Sequence, residues 1–274
     1  MLNYNGTIIP KSDFTLSYNN RGFTYGDSIF DTSKFINNKI EFLEDHYFRL
    51  LASMRMLRME IPLSFTLDFF ENEIRKTLLA CNLTQTSRVK FTVFRNAGGL
   101  FTPKTNAISY LIEATPLNLT TKKTYKVDLF KDYTVSTDLL STLKTNNSLI
   151  NVLSSIYAKE NSLDNCLLIN QNKNITEASN ANVFLIFGNK IYTPPLTDGC
   201  LKGIMRKKVI ESIQQIGEFV FEEKSLSPFD IQKADSLFLT NSIFGIQTVT
   251  NYRKKEFNSY LVDMVKEGFA DFTS

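Results

Sequence analysis

The sequence predicts an α+β protein of two domains, on three observations. Helical and strand periodicities are mixed along the chain without a regular strand–helix–strand beat. At 274 residues the chain suits one large or two medium domains. A polar, turn-prone stretch around Pro116, residues 115–121, reads as a linker. It divides the chain into a small N-terminal domain, 1–117, and a larger C-terminal domain, 118–274.

In chain order, residues 28–35 and 39–42 flank Asn37-Asn38 and read as a hairpin. Residues 44–59 carry Tyr47, Leu50, Leu51, Met54 and Leu57 at helical spacing, with Pro62 as the stop. A second helix covers 67–80, and strands follow at 89–94 and 108–113. Beyond the linker, 125–130 reads as a strand and 149–162 as a helix. Residues 166–169, 171–174 and 181–187 read as strand, turn, strand. A loop at 193–195 precedes a helix opened by Gly203 and running to about 215. A strand at 236–239 and a helix at 257–269 complete the chain.

Composition narrows the function. The chain is 43% hydrophobic and 22% charged, with 23 Phe, 11 Tyr and no Trp, so a core rich in phenyl rings is expected. A formal charge of +3, with acids interspersed among the bases, argues against nucleic acid. Cys81, Cys166 and Cys200 lie far apart without C-x-x-C spacing, which fits a reducing compartment better than a disulfide framework or a zinc site. The single histidine, His46, excludes multi-histidine metal centres. No apolar run reaches membrane-span length, and Met1–Gly6 has no signal-like character. The expectation is a cytoplasmic protein with no membrane and no nucleic-acid partner.

Two residues carry the chemistry. Lys144 is expected after a strand and before a helix, and Glu177 follows one helix later. Alone, the lysine reads as a surface charge and Glu177 as part of a polar turn. Together they match what pyridoxal phosphate needs: an amine to form a Schiff base with the aldehyde, and a carboxylate to keep the ring nitrogen protonated. Candidate phosphate contacts exist elsewhere. Gly203 precedes a helix whose first N–H groups attract an anion. Thr240-Asn241-Ser242 follows a strand and offers hydroxyls. His46 and Arg49 share one helix face, where the arginine either forks onto a phosphate or pairs with a neighbouring acid.

Taken in order, these segments resemble the class IV aminotransferases, the pyridoxal-phosphate enzymes of fold type IV. That family includes branched-chain and D-amino-acid aminotransferases and aminodeoxychorismate lyase. The resemblance covers nearly the whole chain, through residues 21–30 (RGFTYGDSIF), His46 to Leu50, Lys144, Thr176-Glu177 with Asn182-Val183-Phe184, Gly203 to Arg206, and Leu239 to Ser242. It implies a small α/β N-terminal domain and a larger C-terminal pseudo-barrel domain, with pyridoxal 5′-phosphate between them. It also implies a homodimer, an amino-acid-like small-molecule substrate, and a loop at 95–102 that reaches the partner's site. Lys144 would hold the cofactor and move the proton, and Glu177 would face the ring nitrogen. Arg49, the amides of Ile204 and Met205, and Asn241 with Ser242 would hold the phosphate. Tyr25, Phe30, Thr32, Lys34 and Arg95 would line the substrate side.

Within the family, the Arg-x-His trap of D-amino-acid enzymes is replaced by Leu100 and Thr102. Branched-chain enzymes show a Phe-Glu-Gly-Ile-Arg-type stretch where this chain has Phe30-Asp31-Thr32-Ser33-Lys34. The similarity leans to aminodeoxychorismate lyase through Arg95 with Gly98-Gly99, Tyr192-Thr193-Pro194 and Asn241-Ser242, although Leu100 stands where that lyase often has arginine. The leading reading is therefore a lyase forming 4-aminobenzoate and pyruvate. An L-amino-acid transaminase of branched-chain type is the alternative, and a non-catalytic protein that kept the fold is the remote one.

Overall fold

The structure, a computed structural model, describes residues 1–118 and 122–273. The chain divides into two compact units: Met1–Leu119 with Lys144–Asn147, and Thr120–Leu143 with Ser148–Ser274. Of the linker read at 115–121, Thr115 and Pro116 close a strand of the first unit, and 119–121 lie outside the described residues.

The first unit opens with β1 (Leu2–Tyr4), β2 (Thr7–Ile9) and the short helix α1 (Arg21–Tyr25). It continues with β3 (Ser28–Ile36), β4 (Lys39–Ile40), α2 (Leu43–Met56), α3 (Leu67–Ala80), β5 (Ser87–Arg95) and β6 (Ile108–Pro116). Its strands form one antiparallel sheet in the order β2-β1-β6-β5-β3-β4. The β3–β4 turn is Asn37-Asn38 as expected, both at positive φ (50° and 61°), which a two-residue hairpin turn requires. Helix α3 occupies the expected residues and is capped by Thr66, whose hydroxyl accepts from the Phe69 amide.

Helix α2 ends three residues before the expected 59, and Pro62 is not what stops it. Arg58 turns left-handed at φ 55°, and the Met59 amide returns to the Met54 carbonyl at 2.9 Å, the six-to-one bond of a Schellman ending. Leu50 and Met54 of α2 join Phe70, Ile74 and Leu78 of α3 in a core with Ile29, Phe35, Val89, Phe91 and Val93. The phenyl-rich core is as composition predicts: Phe70 and Phe91 have ring centres 4.8 Å apart.

The second unit contains β7 (Lys126–Leu129), α4 (Leu149–Glu160), β8 (Asn165–Ile169), β9 (Ile175–Ala178), β10 (Asn182–Phe187), β11 (Lys190–Thr193), α5 (Ile204–Ile216), β12 (Val220–Glu223), α6 (Pro228–Lys233), β13 (Ser236–Asn241), β14 (Gly245–Val249), β15 (Asn251–Tyr252), β16 (Lys255–Glu256) and α7 (Tyr260–Thr273). They build two five-stranded mixed sheets, β12-β11-β10-β13-β14 and β16-β15-β7-β8-β9. Both sheets feed one apolar cluster that includes Val127, Leu167 and Ile175 from one and Val183, Leu185, Leu237 and Leu239 from the other.

The pattern reading misses β9, β11, β12, α6, β14, β15 and β16 of this unit. Residues 175–178 look like a polar turn because Thr176 and Glu177 interrupt the apolar run. Pairing with β8 makes them a strand, with Ile175, Thr176 and Ala178 all buried. The α+β class holds, and the first unit differs from the predicted 1–117 in regaining Lys144–Asn147.

Phe70 is 1% exposed against Phe91. Phe70→Ala should lower the stability of the first unit by about 3–5 kcal/mol, read as a shifted denaturant midpoint followed by circular dichroism.

Candidate active site

Lys144 does not sit on a plain connection between a strand and a helix. It follows a 3-10 turn, Leu139–Thr142, and its own segment pairs with β3. The Phe30 amide donates to the Lys144 carbonyl at 2.9 Å, the Asn146 amide donates to the Ser28 carbonyl at 3.0 Å, and Thr145 bridges Ile29. This short strap is why Lys144–Asn147 belong to the first unit rather than to the predicted 118–274 domain. Gly26, which ends α1 at φ 65°, makes room for it, since a Cβ there would collide with the Asn147 side-chain oxygen.

The strap places Lys144 Nζ 4.6 Å from the centre of the Phe30 ring. Lys90 Nζ, from β5, lies 4.6 Å from the same ring. Successive residues of a strand face opposite ways, so Phe30, Thr32 and Lys34 share one face of β3. Their register partners on β5 are Thr92, Lys90 and Arg88. Thr32 is buried and its hydroxyl has no hydrogen-bond partner, while Lys34 pairs with Glu41 at 3.0 Å. Burial, then the Arg88 charge, pulls Lys90 below the usual lysine range, with Glu113 acting the other way.

The other face of β3 holds a buried charge cluster. Asp31 Oδ2 accepts from Arg49 Nε at 2.9 Å and lies 2.8 Å from Nη2, while Oδ1 is 2.5 Å from His46 Nδ1. Burial alone would raise the Asp31 carboxyl, but Arg49 and then His46 outweigh it and hold it well below the carboxylate range. Of the two roles open to Arg49, a neighbouring acid is therefore present. Sequence reasoning missed Asp31. Its signal was available, because period 2 puts it on the apolar face with Ile29 and Phe35, where a carboxylate needs a cation.

In the second unit, Glu177 Oε2 accepts from the Leu201 amide at 2.9 Å, and Asn182 Nδ2 donates to the Leu201 carbonyl at 2.9 Å. Between them they hold the loop that enters α5. A side chain at Gly203 would collide with Asn182 Oδ1, so that position requires glycine. Gly203 gives α5 no side-chain cap, which leaves the first-turn amides of Ile204 and Met205 oriented for an anion.

Asn241 is occupied in shaping its own turn. Its Oδ1 accepts from the Ile243 and Phe244 amides, and its Nδ2 donates to the Asn180 carbonyl. Ser242 is half-buried beside it. Thr240, which sequence reasoning gave no separate role, has a buried hydroxyl without a hydrogen-bond partner. An amine, a carboxylate, an uncapped helix start and an orphaned hydroxyl are the donor set that an aldehyde cofactor with a ring nitrogen and a phosphate calls for.

On the substrate side, Tyr25 lies under the Arg21 guanidinium at 4.9 Å and beside Phe101 at 5.7 Å. Arg95 is fully engaged inside the protein. Its Nε donates to Asp27 Oδ2, Nη1 to the Arg58 carbonyl and Asn106 Oδ1, and Nη2 to the Leu57 carbonyl. Asp27 Oδ2 also accepts from Arg21 Nε at 2.8 Å, and Arg21 Nη1 donates to the carbonyls of Gly98 and Leu100. Arg21 thus ties down the loop at Gly98 and Leu100 while Arg95 fixes the position where it begins, and Leu100 and Phe101 at the tip are 77% and 90% exposed.

The sequence matches the profile of the family Amino-transferase class IV over residues 28–252. It is 28% identical over 279 residues to a protein of Methanocaldococcus jannaschii provisionally named branched-chain-amino-acid aminotransferase, covering 97% of this chain and 94% of that one. It is 26% identical over 259 residues to a D-alanine aminotransferase of Bacillus licheniformis, covering 90% and 87%. Among solved structures it is similar to a protein of Legionella pneumophila provisionally named 4-amino-4-deoxychorismate lyase. The TM-score is 0.86 at 26% identity, covering 96% of this chain and 97% of that one. No helix among the described residues is long and apolar enough to cross a membrane.

The Arg21–Asp27–Arg95 cluster sets a pH dependence. Burial would raise Asp27, but bonds from Arg95 and Arg21 hold it below its usual value. A carboxyl lowered by folding contributes stability above its unfolded value, about pH 4, and loses it as pH falls through the folded value. The stability gap between wild type and Asp27→Asn should therefore be widest near neutrality and close below about pH 4, measured by denaturant unfolding across pH.

Proposed function

The chain belongs to the class IV aminotransferases, enzymes whose cofactor is pyridoxal 5′-phosphate, and from that premise we propose that it is a lyase releasing pyruvate and 4-aminobenzoate from 4-amino-4-deoxychorismate. The observation that carries this reading is the pair of lysines over Phe30. Lys144 supplies the reactive amine, and Lys90 supplies a half-buried cation beside it for a substrate with a second carboxylate. The 26% identity to the Legionella protein over 96% of this chain supports the same choice. Leu100 and Thr102, where D-amino-acid enzymes carry a carboxylate trap, speak against a D-amino-acid substrate.

Lys144 would hold the cofactor aldehyde until the substrate amine displaces it, and its freed amine would then take the proton from the amine-bearing ring carbon. The electron pair left on that carbon would complete the aromatic ring as the carbon–oxygen bond breaks, and the departing enolate would take up one proton on carbon to give pyruvate. Bound pyridoxal phosphate supplies the electron sink for this chemistry. Glu177 keeps the ring nitrogen protonated. Arg49, the Ile204 and Met205 amides and Ser242 hold the phosphate, with Asn241 shaping the turn that presents Ser242. Tyr25, Phe30, Thr32 and Lys34 line the substrate side, and Arg95 acts through the loop it anchors.

The second reading, an L-amino-acid transaminase of branched-chain type, is favoured by the Methanocaldococcus relative, which matches 97% of this chain. We also propose a cytoplasmic homodimer in which the 95–102 loop completes the partner's site.

Pyruvate should be released from 4-amino-4-deoxychorismate faster than keto acid forms from leucine, glutamate or D-alanine. Lys90→Met should raise KM for the dicarboxylate by about tenfold or more, the loss of one charge-assisted bond. Keto-acid formation from leucine with no pyruvate from the dicarboxylate would establish the transaminase instead. Mixing inactive Lys144→Ala subunits with Arg95→Ala subunits should restore activity if the loop works across the dimer, and an inactive mixture would refute that arrangement.

A further inference from the structure

We propose that Asp31, with His46 behind it, is a positioning residue that aims the Arg49 guanidinium at the cofactor phosphate. The inference rests on the reading that Arg49 serves the phosphate. It goes further by making the side chain's direction the property of a buried pair that never touches the ligand.

His46 and Arg49 are three apart on α2, so both project toward β3. Asp31 meets them from the strand. One carboxylate oxygen, Oδ2, takes the Nε and Nη2 edge of the guanidinium at 2.9 and 2.8 Å. A long, flexible side chain gripped along one edge keeps its plane and its direction. The second oxygen, Oδ1, is taken by His46 Nδ1 at 2.5 Å, which stops the carboxylate from rotating. Asp31 and His46 side chains are 3% and 0% exposed, so neither bond is shared with bulk water.

A plain ion pair does not account for the histidine. His46 Nε2 is buried with no hydrogen-bond partner, so the ring sits in the core at a cost in polar satisfaction and contributes only through Nδ1. Nδ1 is the ring nitrogen that meets Asp31, so the histidine's one polar contact goes into fixing the carboxylate. Ile29, Ser33 and Phe35 share the Asp31 face of β3, and Leu50 and Met54 of α2 lie in the same apolar core. Well-packed hydrophobic residues would serve stability there at least as well, so the cluster is retained for where it points Arg49.

The test compares pyridoxal 5′-phosphate with pyridoxal, which lacks only the phosphate, by absorbance titration of the full chain stripped of cofactor. Asp31→Asn should weaken pyridoxal phosphate by about ten- to a hundredfold and leave pyridoxal within about twofold of wild type. His46→Asn, which keeps a donor near the Nδ1 position, should hold the ratio closer to wild type than His46→Leu does. That pair of variants decides the matter if Asp31→Asn does not fold. Equal weakening of both ligands, or no weakening of either, would overturn the proposal. Arg49→Gln separates the two layers: if it leaves the ratio unchanged, the phosphate reading of Arg49 fails, whereas a lowered ratio there with an unaltered Asp31→Asn refutes the positioning role alone.

Discussion

The two-fold alternation of β3 is the constraint on which the candidate residues of the first unit depend. One face of that strand carries Phe30, Thr32 and Lys34, and the other carries Ile29, Asp31 and Phe35. The backbone edge of the same strand accepts the Lys144 strap through hydrogen bonds at Phe30 and Ser28. A slip of one residue would exchange the faces, burying Phe30 against α2 and turning Asp31 away from Arg49. Eight paired residues with β5, from Ser28–Phe94 to Phe35–Ser87, hold the register against that slip.

The candidate residues of the second unit reach their geometry by another route. Helix α5 begins without a side-chain cap, and the loop before it is held from outside by Glu177 at the Leu201 amide and Asn182 at the Leu201 carbonyl. Gly203 is required because Asn182 occupies the space a side chain would take. Glu177 thus has a structural partner in the protein as well as its proposed duty at the ring nitrogen. Cys200, in the same loop, is no nucleophile: burial pushes its thiol up to about 12.

Asp31 and Asp27 of the first unit both sit against arginines. Asp31 balances Arg49, and Asp27 stands between Arg21 and Arg95. These clusters restrain the arginine proposed for the phosphate and the loop proposed to reach the partner's site, which gives these carboxylates a use where apolar packing would be simpler. Lys90 departs from the pattern, since its ammonium lies over the Phe30 ring. That departure is what makes it informative about substrate.

Much was legible in the sequence because it is local. The α+β class, the Asn37-Asn38 hairpin and helix Leu67–Ala80 follow from periodicity and turn chemistry, which neighbouring residues decide among themselves. The proposed roles of Lys144 and Glu177 were readable because a cofactor's chemistry demands particular residue types in one order along the chain. What only the tertiary structure decided is partnership between distant residues. No spacing rule says that residues 144–147 return to β3, that Thr176-Glu177 form a strand on β8, or that Asp31 holds Arg49 and Arg95 serves Asp27. Hydrogen bonds and ion pairs across long sequence separations are set by which faces the packed core brings together, and that information is spread over the whole chain.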